Sequence, residues 1–230
     1  MDRYPGFTII IPTYNEAKNA ALLVRRAFAA LPGCSIVVAD DCSTDGTRES
    51  LSGFMGKPGF VFLERAGAKE KGIAASVLDG AAAAKTDYII VMDGDFQHPP
   101  EKLPGLANAL IAGNDLAVAS RQKVAGRWPL SRKIISKGAH FLGCFSLALS
   151  GRRFDFDIMS GYFGIRRSLI LGARRDRIVL SGYKVLFDVF KQLPQNARLA
   201  SVPYEFGARK GGQSKIGFRH IIDYCRSLVS

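Results

Sequence analysis

Tyr88-Ile89-Ile90-Val91-Met92 runs directly into Asp93-Gly94-Asp95-Phe96-Gln97-His98-Pro99-Pro100. Five consecutive apolar residues read as a strand buried on both faces, because a strand with one wet face would alternate apolar and polar. Working outward, the same unit recurs. Phe7-Thr8-Ile9-Ile10-Ile11 is stopped by Pro12, and Ser35-Ile36-Val37-Val38-Ala39 runs into Asp40-Asp41. Phe60 to Leu63 and Leu116 to Ala119 repeat the pattern. Between the strands, Ala17 to Leu31, Gly72 to Ala84 and Pro99 to Ala112 carry helical spacing, and a further helix opens at Thr44 to Thr47 with Ser43 or Thr44 as its cap. This alternation predicts an α/β fold with a Rossmann-like, mostly parallel central sheet and helices on both faces. Ligands bind such sheets beyond the carboxyl ends of the strands.

After residue 120 the pattern loosens. Tyr162 to Ile165 and Ala200 to Tyr204 read as further strands, and Tyr183 to Leu193 as a helix. Ile134 to Leu149 and Ile216 to Val229 read as amphipathic stretches, able either to pack on the sheet or to lie in a membrane interface. The chain has 230 residues, 47% apolar and 23% charged, which suits one large globular domain and excludes a disordered, collagen-like or coiled-coil chain. No run of about 18 uncharged apolar residues occurs to span a bilayer, and Met1 to Pro5 lacks the basic and apolar pattern of a leader. Cys34, Cys42, Cys144 and Cys225 are scattered without metal-ligand spacing and read as free thiols in a reducing compartment.

The net charge of +12 is unevenly held. Residues 1–115 carry 11 Lys and Arg against 14 Asp and Glu, a net of −3; residues 116–230 carry 21 against 6, a net of +15. The first half can hold a cation; the second suits a polyanion, an anionic membrane surface or a phosphorylated substrate.

Three strand ends carry candidate chemistry. If the segment after Met92 stays extended, Asp93, Asp95 and Gln97 point to one side and offer three oxygens to a hard cation such as Mg²⁺ or Mn²⁺, and Gly94 lets a ligand approach the backbone. The competing reading is a turn or helix cap. Asp40 and Asp41 can accept from ribose hydroxyls or a base, or can cap the following turn. In Pro12-Thr13-Tyr14-Asn15-Glu16, Tyr14 can stack on a base and Glu16 accept from a hydroxyl, or Asn15 can cap a helix.

Taken together these motifs resemble family 2 of the inverting nucleotide-sugar glycosyltransferases, which have the A-type glycosyltransferase fold. Ala119-Ser120-Arg121, Asp157-x-x-Ser160-Gly161-Tyr162 and Arg209-x-Gly211-x-x-Ser214-Lys215 narrow the likeness to the polyprenyl-phosphate hexosyltransferases, the dolichol-phosphate mannose synthases among them. Cys42 and Ala119 stand where the family commonly has Gly, and Lys71 to Ala75 replaces a Gly-Leu-Gly-like stretch.

The resemblance implies a single catalytic domain over 1–215, with a nucleotide-sugar half at 1–120 and an acceptor half at 121–215. Residues 216–230 would be an amphipathic C-terminal helix, juxtamembrane if the chain continues. It assigns the nucleotide sugar to Pro12, Tyr14, Glu16, Asp40, Asp41, Asp93, Gly94 and Asp95. It assigns Mg²⁺ or Mn²⁺ to Asp93, Asp95 and Gln97, and the acceptor phosphate to Arg121, Arg132, Arg209 and Lys215. Asp95, Arg121 and Arg209 are the expected catalytic set, and Asp157 is expected to order the acceptor loop. The implied reaction moves a hexose, mannose from GDP-mannose first and glucose from UDP-glucose as the alternative, to a polyprenyl or dolichyl monophosphate. It would take place on the cytoplasmic face of a membrane, with a membrane-anchoring partner subunit or a further C-terminal transmembrane segment. A nucleic-acid partner is not expected, because aromatic and basic residues do not interleave as in single-strand binders.

Overall fold

The computed structural model describes residues 3–124, 156–182, 184–206, 223 and 226–228. Seven strands form one sheet in the order β3-β2-β1-β4-β6-β5-β7. They are β1 (Phe7–Thr13), β2 (Ser35–Asp40), β3 (Phe60–Glu64), β4 (Tyr88–Val91), β5 (Leu116–Val124), β6 (Phe163–Arg166) and β7 (Leu199–Phe206). The helices are α1 (Ala17–Ala30), α2 (Thr47–Ser50), α3 (Ile73–Ala83), α4 (Leu103–Ile111), α5 (Arg167–Gly172) and α6 (Val185–Phe190).

β1, β2, β3 and β4 pair in parallel, as do β5 and β7. β6 runs antiparallel to both β4 and β5, and this one reversal makes the sheet mixed. An apolar run of residues dictates burial but not direction, so the reversal leaves no mark on the sequence.

The side-chain alternation of β1 shows how the core is divided. Ile9 and Ile11 join a cluster with Ile36, Val38, Ile90 and Met92 under α1 and α4. Ile10 points the other way, into a cluster with Ile89, Val91, Val118 and Phe163 under α3, α5 and α6. Both faces are therefore covered, which explains why the strands read as unbroken apolar runs. α3 lies so close to β1 that a methyl group on Gly80 would stand 2.7 Å from Ile10 Cγ2.

Several local expectations are corrected. The second helix is only one turn long and is preceded by Gly46 at φ +88°, with neither Ser43 nor Thr44 as its cap. Asp45 organises that start instead, accepting from Thr47 N at 3.1 Å and from Thr47 Oγ1. The stretch from Pro99 begins as a 3-10 turn, Pro100–Lys102, before α4. α5 directly follows β6 and had no counterpart in the sequence reading. The stretch 134–149 lies outside the described residues. Of 216–230 only 223 and 226–228 are described, and they are helical. Among the described residues no helix is long and apolar enough to cross a membrane.

Leu23 of α1 is fully buried in the first cluster. Leu23→Ala should cost about 2–5 kcal/mol through lost burial and a residual cavity. Thermal unfolding followed by circular dichroism checks this, and an unchanged midpoint would show that α1 does not hold the sheet face as described.

Candidate active site

The carboxyl ends of β1, β2 and β4 lie side by side, because these strands are adjacent and parallel. The first two ends are tied together. Asp40 closes β2 with a buried carboxylate that accepts from Thr13 Oγ1 at 2.8 Å, from Ser43 N at 2.8 Å and from Ser43 Oγ at 2.6 Å. Asn15 N donates to Ser43 Oγ, Glu16 N to Thr47 Oγ1, and Thr44 N to Asn15 Oδ1. Asp45 Oδ2 accepts from Ala17 N at 3.0 Å, so the first turn of α1 is capped from the neighbouring loop rather than by Asn15. Burial works against the Asp45 charge. The hydrogen bonds from Thr47 and Ala17 outweigh it and hold the carboxyl below the ordinary carboxylate range.

Asp40, which the resemblance assigns to the nucleotide sugar, is turned toward Thr13 and Ser43. It is 3% exposed, and its oxygens are committed to the turn. Pro12 is also buried, in register with Ala39. Tyr14, by contrast, is 48% exposed and offers a ring face at the strand ends. Asn15 and Cys42 both take left-handed backbone, at φ +55° and +64°. Cys42 therefore keeps its turn with some backbone strain.

Asp41 behaves differently from Asp40. Its Oδ1 receives Arg65 Nη1 at 2.7 Å and its Oδ2 receives Gly72 N at 2.8 Å. Arg65 is nearly inaccessible and spends its guanidinium on four acceptors: Asp41, Asp79, Ser76 Oγ and the Glu70 carbonyl. Arg175 reaches the same group from the second half of the chain, at 3.1 Å from Asp79 Oδ1 and 3.5 Å from Glu70 Oε2. The sequence reading did not single out Arg65. One Arg after an edge strand carries no signal until the fold places two acids around it.

The end of β4 departs from the extended geometry expected of it. Residues 94 and 95 form a turn, and Phe96 is buried at φ +63°. Asp93, Asp95 and Gln97 are therefore carried on a turn and not on an extended strand. Asp95 is buried, and its Oδ1 accepts from Gln97 N at 3.0 Å. Gly94 packs over the first loop, where a Cβ would touch Glu16 Cγ at 3.4 Å.

His98 closes this turn. Asp93 N donates to His98 Nδ1 at 3.1 Å, which leaves the ring proton on Nε2. The imidazole is buried, stacked on Tyr162 at 5.0 Å and edge-on to Tyr204 at 6.1 Å. Burial pushes its pKa down to about 4, so the ring is neutral. It supports the turn from beneath.

The second half of the chain meets this turn through 157–162. Arg121 Nε donates to Asp157 Oδ2 at 2.5 Å, Met159 N to Asp157 Oδ1, and Asp157 N to Ser120 Oγ. At the far end of this loop, Gly161 lies against the metal candidate. A Cβ there would stand 3.2 and 3.3 Å from the Asp93 carboxylate oxygens and 3.3 Å from His98 Cε1. The carboxylates and the Arg121–Asp157 pair thus lie near one another, with Asp95, Arg121 and Asp157 all close enough to act on His98. Two carboxylates and an amide side chain within five residues suit a hard divalent cation. No group of three His, Cys, Asp or Glu is gathered around a point among the described residues, so a cation here would draw on Gln97 or on substrate oxygens as well. Arg132, Arg209 and Lys215 lie outside the described residues.

Other arginines of the basic half are explained locally. Arg166 pairs with Asp115, Arg167 donates to the Ala81 and Ala82 carbonyls at the end of α3, and Arg174 pairs with Asp176.

A glycosyl transferase family 2 model matches residues 8–171. The dolichol-phosphate mannosyltransferase of Pyrococcus furiosus is 37% identical over 226 residues, covering 96% of this chain but 62% of that protein, so the chain spans less than two thirds of that relative. The dolichol-phosphate mannosyltransferase of Mycosarcoma maydis is 32% identical, covering 98% of this chain and 78% of the relative. The polyprenol monophosphomannose synthase of Mycolicibacterium smegmatis is also 32% identical, covering 93% and 82%. Among solved structures, glucosyl-3-phosphoglycerate synthase from Mycobacterium tuberculosis, in complex with Mn²⁺, UDP-glucose and phosphoglyceric acid, superposes with a TM-score of 0.73. It is 18% identical, covering 97% of this chain and 78% of that one, and supports the fold alone.

Arg65→Met should destabilise the chain by about 2–3 kcal/mol, because it strands Asp41 and Asp79 beside an empty donor position. Denaturant unfolding measures this. A midpoint equal to wild type would mean that the network does not hold Asp41 in place.

Proposed function

The chain belongs to glycosyl transferase family 2, and from that membership we propose that it transfers mannose from GDP-mannose to a polyprenyl or dolichyl monophosphate with inversion at the anomeric carbon. The observation that carries the reading is the contact of Gly161 with the Asp93 carboxylate. Gly161 lies four residues beyond Asp157, the partner of Arg121, so this contact brings the loop of the Arg121–Asp157 pair to the acids after β4.

On this reading the nucleoside end lies over the first two strand ends. Tyr14 supplies an aromatic face, and Glu16 and Asp41 accept hydrogen bonds. A divalent cation, Mg²⁺ or Mn²⁺, held by Asp93, Asp95 and Gln97 supplies charge to offset the departing diphosphate. A phosphate-monoester oxygen of the acceptor attacks the anomeric carbon as the bond from that carbon to the diphosphate oxygen breaks. The electron pair of that bond leaves with the nucleoside diphosphate. The second pKa of a phosphate monoester is near 6, so the nucleophile is already largely deprotonated at neutral pH and needs no general base. Asp157 is accordingly a holder of Arg121, and Arg121 faces the acceptor phosphate as a planar fork. Arg132, Arg209 and Lys215 complete the acceptor site. The isoprenoid chain of the acceptor places the reaction at a bilayer surface, on the cytoplasmic face, with 216–230 or a membrane-anchoring partner close to the lipid. Peripheral attachment needs only apolar contact plus attraction of basic residues to anionic headgroups, about 1 kcal/mol for each Lys or Arg near the surface.

Transfer of radiolabel from GDP-mannose into organic-extractable lipid, given polyprenyl phosphate and Mn²⁺, tests the reading. Excess chelator should stop the transfer and added Mg²⁺ or Mn²⁺ restore it, and Asp95→Ala should lose about 10²–10³-fold in kcat. Full activity in chelator would overturn the metal assignment.

The acceptor assignment has its own test. Arg209→Ala and Lys215→Ala should each keep GDP affinity within about threefold while lowering transfer to lipid phosphate by about 100-fold or more. Arg209→Lys should recover only part, since it keeps the charge and loses the fork. Single-turnover transfer that survives the double Ala variant at saturating lipid would place the phosphate elsewhere.

A further inference from the structure

Lys184 is a cation that neither the motifs nor the reaction scheme above uses. It stands immediately before α6, and its Nζ donates to the Met159 carbonyl at 2.8 Å. Met159 is the middle of the loop whose first residue, Asp157, holds Arg121 and whose fifth, Gly161, abuts Asp93. One ammonium group therefore ties α6 to the point at which the acceptor half meets the metal candidate.

The electrostatic surroundings agree with that position. Withdrawal from water pushes the Lys184 pKa down to about 8, with Arg121 adding to the effect and Asp157 and Asp93 opposing it. The group still carries its charge at neutral pH. Withdrawing an ammonium even partly from water is costly, and an apolar side chain of the same length would fill the space without that cost. What an apolar residue cannot supply is a positive charge close to Arg121, Asp157 and Asp93, or a donor to the Met159 carbonyl.

We propose that Lys184 is a positioning residue of the transfer step: it fixes the 157–161 loop so that Asp157 aims Arg121 at the acceptor phosphate, and it lends positive charge where that phosphate meets the diphosphate of the donor. The inference rests on the functional reading above, and it adds a residue from α6's leading edge to the acceptor site. Its role falls in the step in which two anions are brought together, so its loss should appear in kcat and not in donor binding.

The test compares wild type, Lys184→Met, Lys184→Gln and Lys184→Arg. Steady-state mannosyl transfer from GDP-mannose to dolichyl phosphate in detergent micelles is read beside calorimetric binding of GDP with Mn²⁺ and thermal unfolding. Lys184→Met should lower kcat by about 30–100-fold while the Kd for GDP changes less than about twofold. Lys184→Gln keeps a donor for the Met159 carbonyl and drops the charge, and should still lose about 10-fold or more. Lys184→Arg, which keeps the charge, should recover at least about 10-fold over Met. If Lys184→Met does not fold, the Gln and Arg pair decides in the same way. Transfer by the charge-free variants within about threefold of wild type would overturn the inference alone. So would a loss of kcat that follows the unfolding temperature and that Arg does not repair. A wild-type chain that binds GDP but passes no sugar to lipid phosphate would overturn the functional reading and this inference with it.

Discussion

Three hydrogen bonds to the Asp40 carboxylate are the constraint on which the rest of the site depends. A parallel sheet ends in backbone groups that have lost their neighbours, and those near the core must find partners. Here Thr13, Ser43 and Asp40 satisfy one another across the ends of β1 and β2. Asn15, Asp45 and Thr47 extend the same knot to the first turn of α1. The bonds from Thr13, Asn15, Glu16, Ala17 and Thr44 cross from one loop to the other, so neither loop can move alone. Tyr14, Glu16 and Asp41 are carried on this knot, and it sets the surface that they present.

A second set of contacts joins the two halves of the chain. Arg65 and Arg175 bring together Asp41, Asp79 and Glu70, and the Gly72 to Ala75 start of α3 is hydrogen-bonded to residues 180 and 182. The 157–162 loop does the same at β4, through Gly161 against Asp93 and Tyr162 against His98. Such a joint suits a reaction between two anions. Coulomb repulsion between two unit charges 5 Å apart is about 3 kcal/mol at an effective dielectric of 20, and paired dianions multiply it. Cations from the basic half have to be held beside the acidic half without collapsing onto its carboxylates. The pairing of Arg121 with Asp157 meets that need, because Asp157 fixes where the guanidinium stands.

Much of this was legible in the sequence. Unbroken apolar runs marked β1, β2, β4 and β5, helical spacing marked α1, α3 and α4, and the acids after Met92 marked the candidate site, because these depend on neighbours a few residues apart. The resemblance to family 2 rested on short motifs of the same kind, and the family match agrees with it. The roles of individual acids were not legible. Asp40 and Asp41 are adjacent and chemically identical, yet one is buried under Thr13 and Ser43 while the other faces Arg65, a partner 24 residues away.

The sequence by itself determined the layered α/β architecture and the separation of acidic and basic halves, since periodicity and charge are properties of local stretches. Only the tertiary structure decided the reversed direction of β6, the turn that replaces an extended Asp93–Gln97, the neutral His98 beneath it and the meeting of Lys184 with Met159. Each of these depends on groups far apart in the chain being brought into contact, and on burial that changes what a titratable side chain can do. No pattern of near neighbours encodes which residue will stand opposite another across a sheet end.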